Sequence, residues 1–127
     1  MQHKRVLIID DEEHIREIAS LSFELVEWEV AQAGTGREGV AAALASPPDV
    51  ILLDVMMPEL DGPATLLLLE GEERTRSIPV VFLTAKVQAT DKRRYLELGV
   101  AGVISKPFDP LTLPAHVEEI LNAWRAI

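Results

Sequence analysis

Asp49-Val50-Ile51-Leu52-Leu53-Asp54-Val55-Met56-Met57-Pro58 is the stretch whose reading decides the fold. Its aliphatic run, Val50 to Leu53, stands between Pro47-Pro48 and Pro58 and is apolar at every position. That is too short for a helix and reads as a strand buried on both faces, hence the interior of a parallel sheet. The run ends at the carboxylate of Asp54. In open α/β sheets ligands bind in the crevice outside the carboxyl ends of the strands, because loops rather than helices line it. Asp54 is therefore the first candidate for chemistry.

Toward the amino terminus, Pro47-Pro48 stop an alanine-rich, helix-prone segment at 37–45. Gly34-Thr35-Gly36 separate it from a shorter, more polar strand at 28–33, which suits a sheet edge. Residues 5–9 are an aliphatic strand ending at Asp10-Asp11. Residues 12 to about 26 follow with helical spacing, placing Ile15, Ile18, Ala19, Ser22 and Leu25 on one side. Toward the carboxyl terminus, Asp61-Gly62-Pro63 is a turn with proline at the first helical position, and its helix runs to about 73. A strand at 79–83 ends at Thr84-Ala85-Lys86, and a helix at 88–98 is closed by Gly99. The last strand, 103–105, ends at Lys106-Pro107. A helix from 111 to about 125 follows, with Val117, Ile120, Leu121 and Trp124 facing inward. The run Leu66-Leu67-Leu68-Leu69 exceeds one buried stripe; core packing from both sides is the favoured reading, and an apolar patch for a partner is the alternative. Strands alternating with helices through short turns predict one α/β domain over 1–127, a (βα)5 doubly wound fold with a parallel sheet and helices on both faces.

With 127 residues, the chain suits one domain that buries about two-thirds of its unfolded surface. It has no cysteine, which rules out disulfides and thiolate metal sites and fits a reducing compartment. Val6-Leu7-Ile8-Ile9 is too short for a secretory core, and no apolar stretch approaches the roughly 20 residues of a membrane helix. A soluble, cytoplasmic protein is expected. The formal charge of −9 argues against direct nucleic-acid binding and favours a cation or a basic partner surface. Lys92-Arg93-Arg94 reads as a solvated helix face.

Parallel strands present their carboxyl ends on one edge, so that edge is expected to gather Asp10, Asp11, Asp54, Thr84 and Lys106. Like-charged carboxylates about 4 Å apart repel by on the order of 4 kcal/mol per pair at an effective dielectric of about 20. A hard divalent ion such as Mg²⁺, which uses one or two carboxylates, waters and a phosphate oxygen, offsets that repulsion. Lys106 adds a compact positive charge, Thr84 a hydroxyl, and Ala85 an unhindered backbone N–H. These are the parts of a phosphoryl-transfer site with Asp54 as the nucleophile. Taken singly, Asp10-Asp11 and Thr84 read as helix caps and Lys106 as a surface charge. A cap does not resolve the repulsion that the three carboxylates create together.

Leu7-Ile8-Ile9-Asp10-Asp11-Glu12, Leu52-Leu53-Asp54-Val55-Met56-Met57-Pro58, Asp61-Gly62, Leu83-Thr84-Ala85 and Lys106-Pro107-Phe108 occur in that order, and with them the chain resembles the receiver domain of bacterial two-component response regulators over essentially its whole length. The resemblance implies a flavodoxin-like sheet of order 2-1-3-4-5. It also implies phosphoryl transfer from a sensor histidine kinase or phosphotransfer protein to Asp54. Asp11 would be a direct Mg²⁺ ligand, Asp10 a ligand largely through water, and Met56 a ligand through its backbone carbonyl. Lys106 and Thr84 would bind the phosphoryl group, and Lys106-Pro107 would be a cis peptide. Met56 and Lys86, two residues beyond Asp54 and Thr84, stand where the family tunes self-hydrolysis. The expected protein is a signalling acceptor rather than an ordinary enzyme, although it would promote its own phosphorylation and dephosphorylation. Its output would pass to a downstream protein or a second copy through the face of helix 88–98, strand 103–105 and helix 111–125. Many family members carry an aromatic residue three before the lysine, where this chain has Val103. With no DNA-binding or catalytic segment after Ile127, the sequence fits a stand-alone receiver or a piece of a longer regulator.

Three other readings compete. Gly34-Thr35-Gly36-Arg37-Glu38-Gly39 satisfies G-x-G-x-x-G after a strand, with Asp54 about 20 residues beyond as a ribose ligand. It leaves Asp10-Asp11 and Lys106 without roles. An aspartyl-nucleophile phosphatase would carry a second carboxylate at position 56, which is methionine. A receiver-like scaffold that binds partners without phosphorylation has no use for the repelling carboxylates. His3, His14 and His116 are scattered and expected to face solvent.

Overall fold

The aliphatic runs pair as parallel strands and the segments between them wind back as helices, in a computed structural model that describes residues 4–85 and 88–126. Among the described residues the order is β1 (Arg5–Ile9), α1 (Glu13–Glu24), β2 (Glu29–Ala33), α2 (Gly36–Ala45), β3 (Val50–Asp54), α3 (Gly62–Glu70), β4 (Val80–Thr84), α4 (Ala89–Glu97), β5 (Gly102–Ser105) and α5 (Leu113–Arg125). The sheet runs β2-β1-β3-β4-β5 with every pairing parallel, as the resemblance implies. The polar strand β2 lies at an edge, and β3 lies at the centre with all five of its residues buried.

Successive side chains of a strand point to opposite faces, so the continuous apolar runs divide into two cores. Val6, Ile8, Val50, Leu52, Val81, Leu83 and Ile104 pack with Ala19 and Phe23 of α1 and Leu113, Val117 and Leu121 of α5. Leu7, Ile9, Ile51, Leu53, Phe82 and Val103 pack on the other face with Ala43, Leu66, Leu69 and Tyr95. At roughly 1.5–3 kcal/mol for each fully buried aliphatic side chain, this two-sided burial outweighs any helix propensity in the runs.

Element ends shift by a few residues for local reasons. Trp28 donates its N–H to the Phe23 carbonyl and so closes α1, leaving Glu29 to begin β2. The Thr75 hydroxyl donates to the Leu69 carbonyl at 2.6 Å, taking up an end carbonyl of α3, which stops at Glu70 instead of about 73. Asp109 accepts the Leu111 N–H at 2.9 Å, and that turn delays α5 to Leu113.

Three expected helix faces are corrected. On α1 the buried residues are Ala19, Ser20, Ser22 and Phe23, whereas Ile18 and Leu25 are exposed, Leu25 by 69%. Phe23 turns the helix toward itself by seating its ring edge-on against Trp28 at 4.9 Å. Ser22 is tolerated inside because its hydroxyl donates to the Ala19 carbonyl at 2.9 Å. On α3, Leu66 and Leu69 are buried and Leu67 and Leu68 exposed, because a helix lying on a sheet buries one stripe at i, i+3. On α5, Val117 and Leu121 are buried and Ile120 is half-buried, but Trp124, in the last turn, is 38% exposed.

Candidate functional site

Asp10 follows β1, Asp54 ends β3, Thr84 ends β4 and Lys106 follows β5. Because these strands are parallel, all four residues arrive at one edge. Asp10 is fully buried and almost fully committed. Its main-chain N–H donates to the Ala33 carbonyl at 3.1 Å, and its own carbonyl accepts Nη1 of Arg16 at 2.7 Å. Its Oδ1 accepts the Glu12 N–H at 2.9 Å, a local turn ahead of α1; the N-cap position is Glu12, without a side-chain cap bond, so the cap reading of Asp10 falls. Oδ2 faces Lys106 Nζ at 2.7 Å as an ion pair, and among the described residues it has no aligned hydrogen-bond partner.

Asp54 is 3% exposed. Its Oδ1 accepts the Met56 N–H at 3.3 Å and lies 3.3 Å from Lys106 Nζ. Burial first, and then the Asp10 carboxylate, push its pKa from 3.8 up to about 7, against the opposing pull of Lys106 and the Met56 N–H. Burial works against the Lys106 charge, but Asp10 and then Asp54 outweigh it, and the lysine pKa rises above 10.5. The two shifts differ in origin: burial leads for Asp54, whereas for Lys106 the neighbouring carboxylates prevail over burial.

One carboxylate oxygen from each of Asp10, Asp11 and Asp54 lies within 4.8 Å of the others, and Asp11 is exposed while the other two are buried. A hard oxygen-donor set, a buried Asp10 Oδ2 held only by the Lys106 ion pair and an open side at Asp11 fit a divalent cation that keeps some of its waters, as Mg²⁺ does. The Met56 side chain is 62% exposed at the mouth, and its backbone is tied to Asp54. Thr84 is buried and its carbonyl accepts the Lys106 N–H at 2.9 Å, whereas Ala85 is exposed. Lys106-Pro107 is cis.

Two further residues of this site carry almost no signal in the sequence. Glu12 Oε1 reaches Lys106 at 3.5 Å, and Arg16 holds the Asp10 carbonyl. Arg16 stands one helical turn beyond Glu12, an offset that places both on one side of α1, and that was the only signal. The glycine motif is not brought to Asp54, since β1 lies between β2 and β3. A Cβ on Gly36 would meet Thr65 Oγ1 at 2.2 Å, and one on Gly39 would meet Ile9 Cδ1 at 2.3 Å. These glycines serve close packing of α2, and the ribose role of Asp54 falls. His14 and His116 are exposed as expected, while His3 and Lys86 lie outside the described residues.

The family model of the response regulator receiver domain matches residues 6–118. The chain is 40% identical to the DNA-binding dual master transcriptional regulator RpaA of Synechocystis over 97% of its own length and 48% of that protein. It is 36% identical to the phosphate regulon transcriptional regulatory protein PhoB of Pseudomonas aeruginosa, over 96% of its length and 53% of that protein. The chain thus spans about half the length of the curated relatives it matches. The structure of the chemotaxis response regulator CheY4 of Vibrio cholerae superposes with a TM-score of 0.87 at 29% identity, covering 94% of this chain and 99% of that one. Fold, ordered motifs and site geometry lead to the same place, and the chain belongs to the receiver-domain family of two-component response regulators.

Proposed function

We propose that this chain, as one receiver domain over 1–127, takes a phosphoryl group onto Asp54 from a phosphohistidine of a sensor histidine kinase or phosphotransfer protein, in the cytoplasm and with Mg²⁺. The observation that carries the reading is the buried Asp54 carboxylate set between Lys106 at 3.3 Å and the Asp10 and Asp11 carboxylates. An Asp54 oxygen attacks phosphorus, a P–O bond forms as the P–N bond breaks, and the electron pair leaves with the imidazole nitrogen, which takes a proton from water. Bound Mg²⁺ would supply positive charge to the three carboxylates and to the phosphoryl oxygens. Lys106 turns its ammonium toward the same oxygens, with Thr84 and the exposed backbone of Ala85 at the adjoining strand end. The raised pKa of Asp54 means that its ionised form, the nucleophile, is only partly populated near pH 7 until further positive charge arrives.

Output would leave through α4, β5 and α5 to a downstream protein or a second copy. Tyr95 does not belong to that surface: it is 9% exposed and packs edge-on against Phe82 at 5.3 Å. The exposed groups of α4 include Lys92, Arg93, Arg94, Leu96 and Glu97. The reading is tested by intact mass after exposure to a small phosphodonor, with and without Mg²⁺. One phosphoryl group is expected with Mg²⁺, none after chelation, and none on Asp54→Asn. Equal labelling of Asp54→Asn would overturn the assignment.

A further inference from the structure

We infer that Arg16 is a positioning residue for the metal site, an inference that rests on the proposed Mg²⁺-dependent reading of that site. Its guanidinium donates Nη1 to the main-chain carbonyl of Asp10 at 2.7 Å, and this carbonyl belongs to the peptide joining Asp10 to Asp11. The Asp10 N–H is already held by the Ala33 carbonyl at 3.1 Å, and Asp10 Oδ1 by the Glu12 N–H at 2.9 Å. With Arg16 in place, the backbone of Asp10 is tied on both sides, and Oδ2 is its one polar atom without a hydrogen bond.

Asp11 has no comparable restraint among the described contacts, because it is exposed and its orientation follows from the peptide before it. Arg16 is therefore the group that sets the plane of that peptide and the direction in which the Asp11 carboxylate leaves the chain. Gly34, on the loop after β2, lies beside this guanidinium: a Cβ there would stand 3.4 Å from Arg16 Nη1, an ordinary contact. The Gly34 N–H donates to Glu38 Oε2 at 3.3 Å, which fixes the loop against which the guanidinium rests.

The sign of the effect separates positioning from charge. Arg16 is a cation beside a cation site, so on charge alone its removal strengthens metal binding. Loss of a group that orients metal ligands instead weakens binding, typically by 10–100-fold. The test uses Mn²⁺, counted by the electron paramagnetic resonance of the free ion, with Mg²⁺ as competitor, on the intact chain and on Arg16→Ala, Arg16→Gln and Arg16→Lys. Metal-free melting temperatures are taken in parallel.

The expected result is an affinity about 10-fold lower for Arg16→Ala, with Arg16→Lys recovering part of it because an ammonium still donates to a carbonyl. If Arg16→Ala does not fold, Arg16→Gln decides by the same criterion. Affinity equal to or above that of the unsubstituted chain overturns the inference and leaves the metal site standing. Arg16→Lys as weak as Arg16→Ala, with melting lowered alike in both, also overturns it, since the loss then comes from general destabilisation. An unsubstituted chain that takes up neither ion overturns the reading of the site itself.

Discussion

Asp54 carries a cost that its position explains. A folded-state pKa raised from 3.8 to about 7 means that the folded chain holds this proton more tightly than the unfolded one. The contribution of Asp54 to stability is then fully present below the unfolded value and is lost as the pH rises through about 7. Lys106 is shifted upward too, so its contribution persists until the pH exceeds its unfolded value and leaves this window unchanged. In chelator, urea unfolding should therefore show stability falling by a few kcal/mol between pH 4 and 8 from this group. Asp54→Asn should flatten the slope and be the more stable chain at pH 8. An unchanged slope in Asp54→Asn would show that other groups set the dependence. Met56 bears on how long a phosphoryl group stays. Its exposed thioether chain offers no strong hydrogen bond to orient an attacking water, so the phosphorylated half-life is expected to exceed seconds. A decay followed by intact mass and complete within seconds would contradict this.

Among the elements, α3 shows how the site is supported from behind. A Cβ on Gly62, at its first residue, would stand 2.8 Å from Val55 Cα and 2.9 Å from the Asp54 carbonyl oxygen, backbone atoms with no rotamer to yield. Gly62→Ala should cost about 1–3 kcal/mol, as overpacking does, and slow phosphorylation by moving Asp54. Gly71→Ala is its control, since a Cβ there has ordinary contacts at 3.5 Å, and the expected change is within about 0.5 kcal/mol. The leucine run makes a parallel comparison on one helix. Leu66→Ala should cost about 2–5 kcal/mol, whereas the exposed Leu67→Ala should change stability by less than about 0.5 kcal/mol. Urea midpoints of the four variants decide both comparisons, and equal losses at positions 66 and 67 would contradict the one-stripe packing of α3.

Across the whole molecule, the question is which face responds when Asp54 is modified. The phosphoryl group carries about −1.5 to −2 of charge in place of that of the Asp54 carboxylate, and sets it farther out, beside Thr84 and Lys106. Thr84 ends β4 ahead of α4, and Lys106 follows β5 ahead of α5, so movement at these residues reaches α4 and α5 before α2. Val103 is buried against the same core as Phe82 and Tyr95, so β5 offers no aromatic ring at that position to turn inward. The loop from Thr84 to Gln88 is expected to carry the change, with residues 86 and 87 outside the described set. Amide hydrogen exchange with and without beryllofluoride should show altered protection in residues 84–98 that are observed, extending into α5. Changes confined to α2 (Gly36–Ala45) would sink this route.

From the sequence alone, the alternation of aliphatic runs with helical segments determined the parallel sheet, and the last polar residue of each run determined the site. Strand burial is written in consecutive residues, and parallel strands share one carboxyl edge whatever their loops do, so Asp10, Asp54, Thr84 and Lys106 could be gathered without coordinates. Only the tertiary structure decided the rotation of α1 toward Phe23 and Trp28, the inward turn of Tyr95, and the division of the leucine run. It alone placed Glu12 on Lys106 and Arg16 on the Asp10 carbonyl. Each of these depends on which side of a helix meets a distant strand, or on how far a long side chain reaches across a loop. Periodicity leaves helix rotation uncertain by about one residue, or 100°, and contacts between residues far apart in the chain remove that uncertainty.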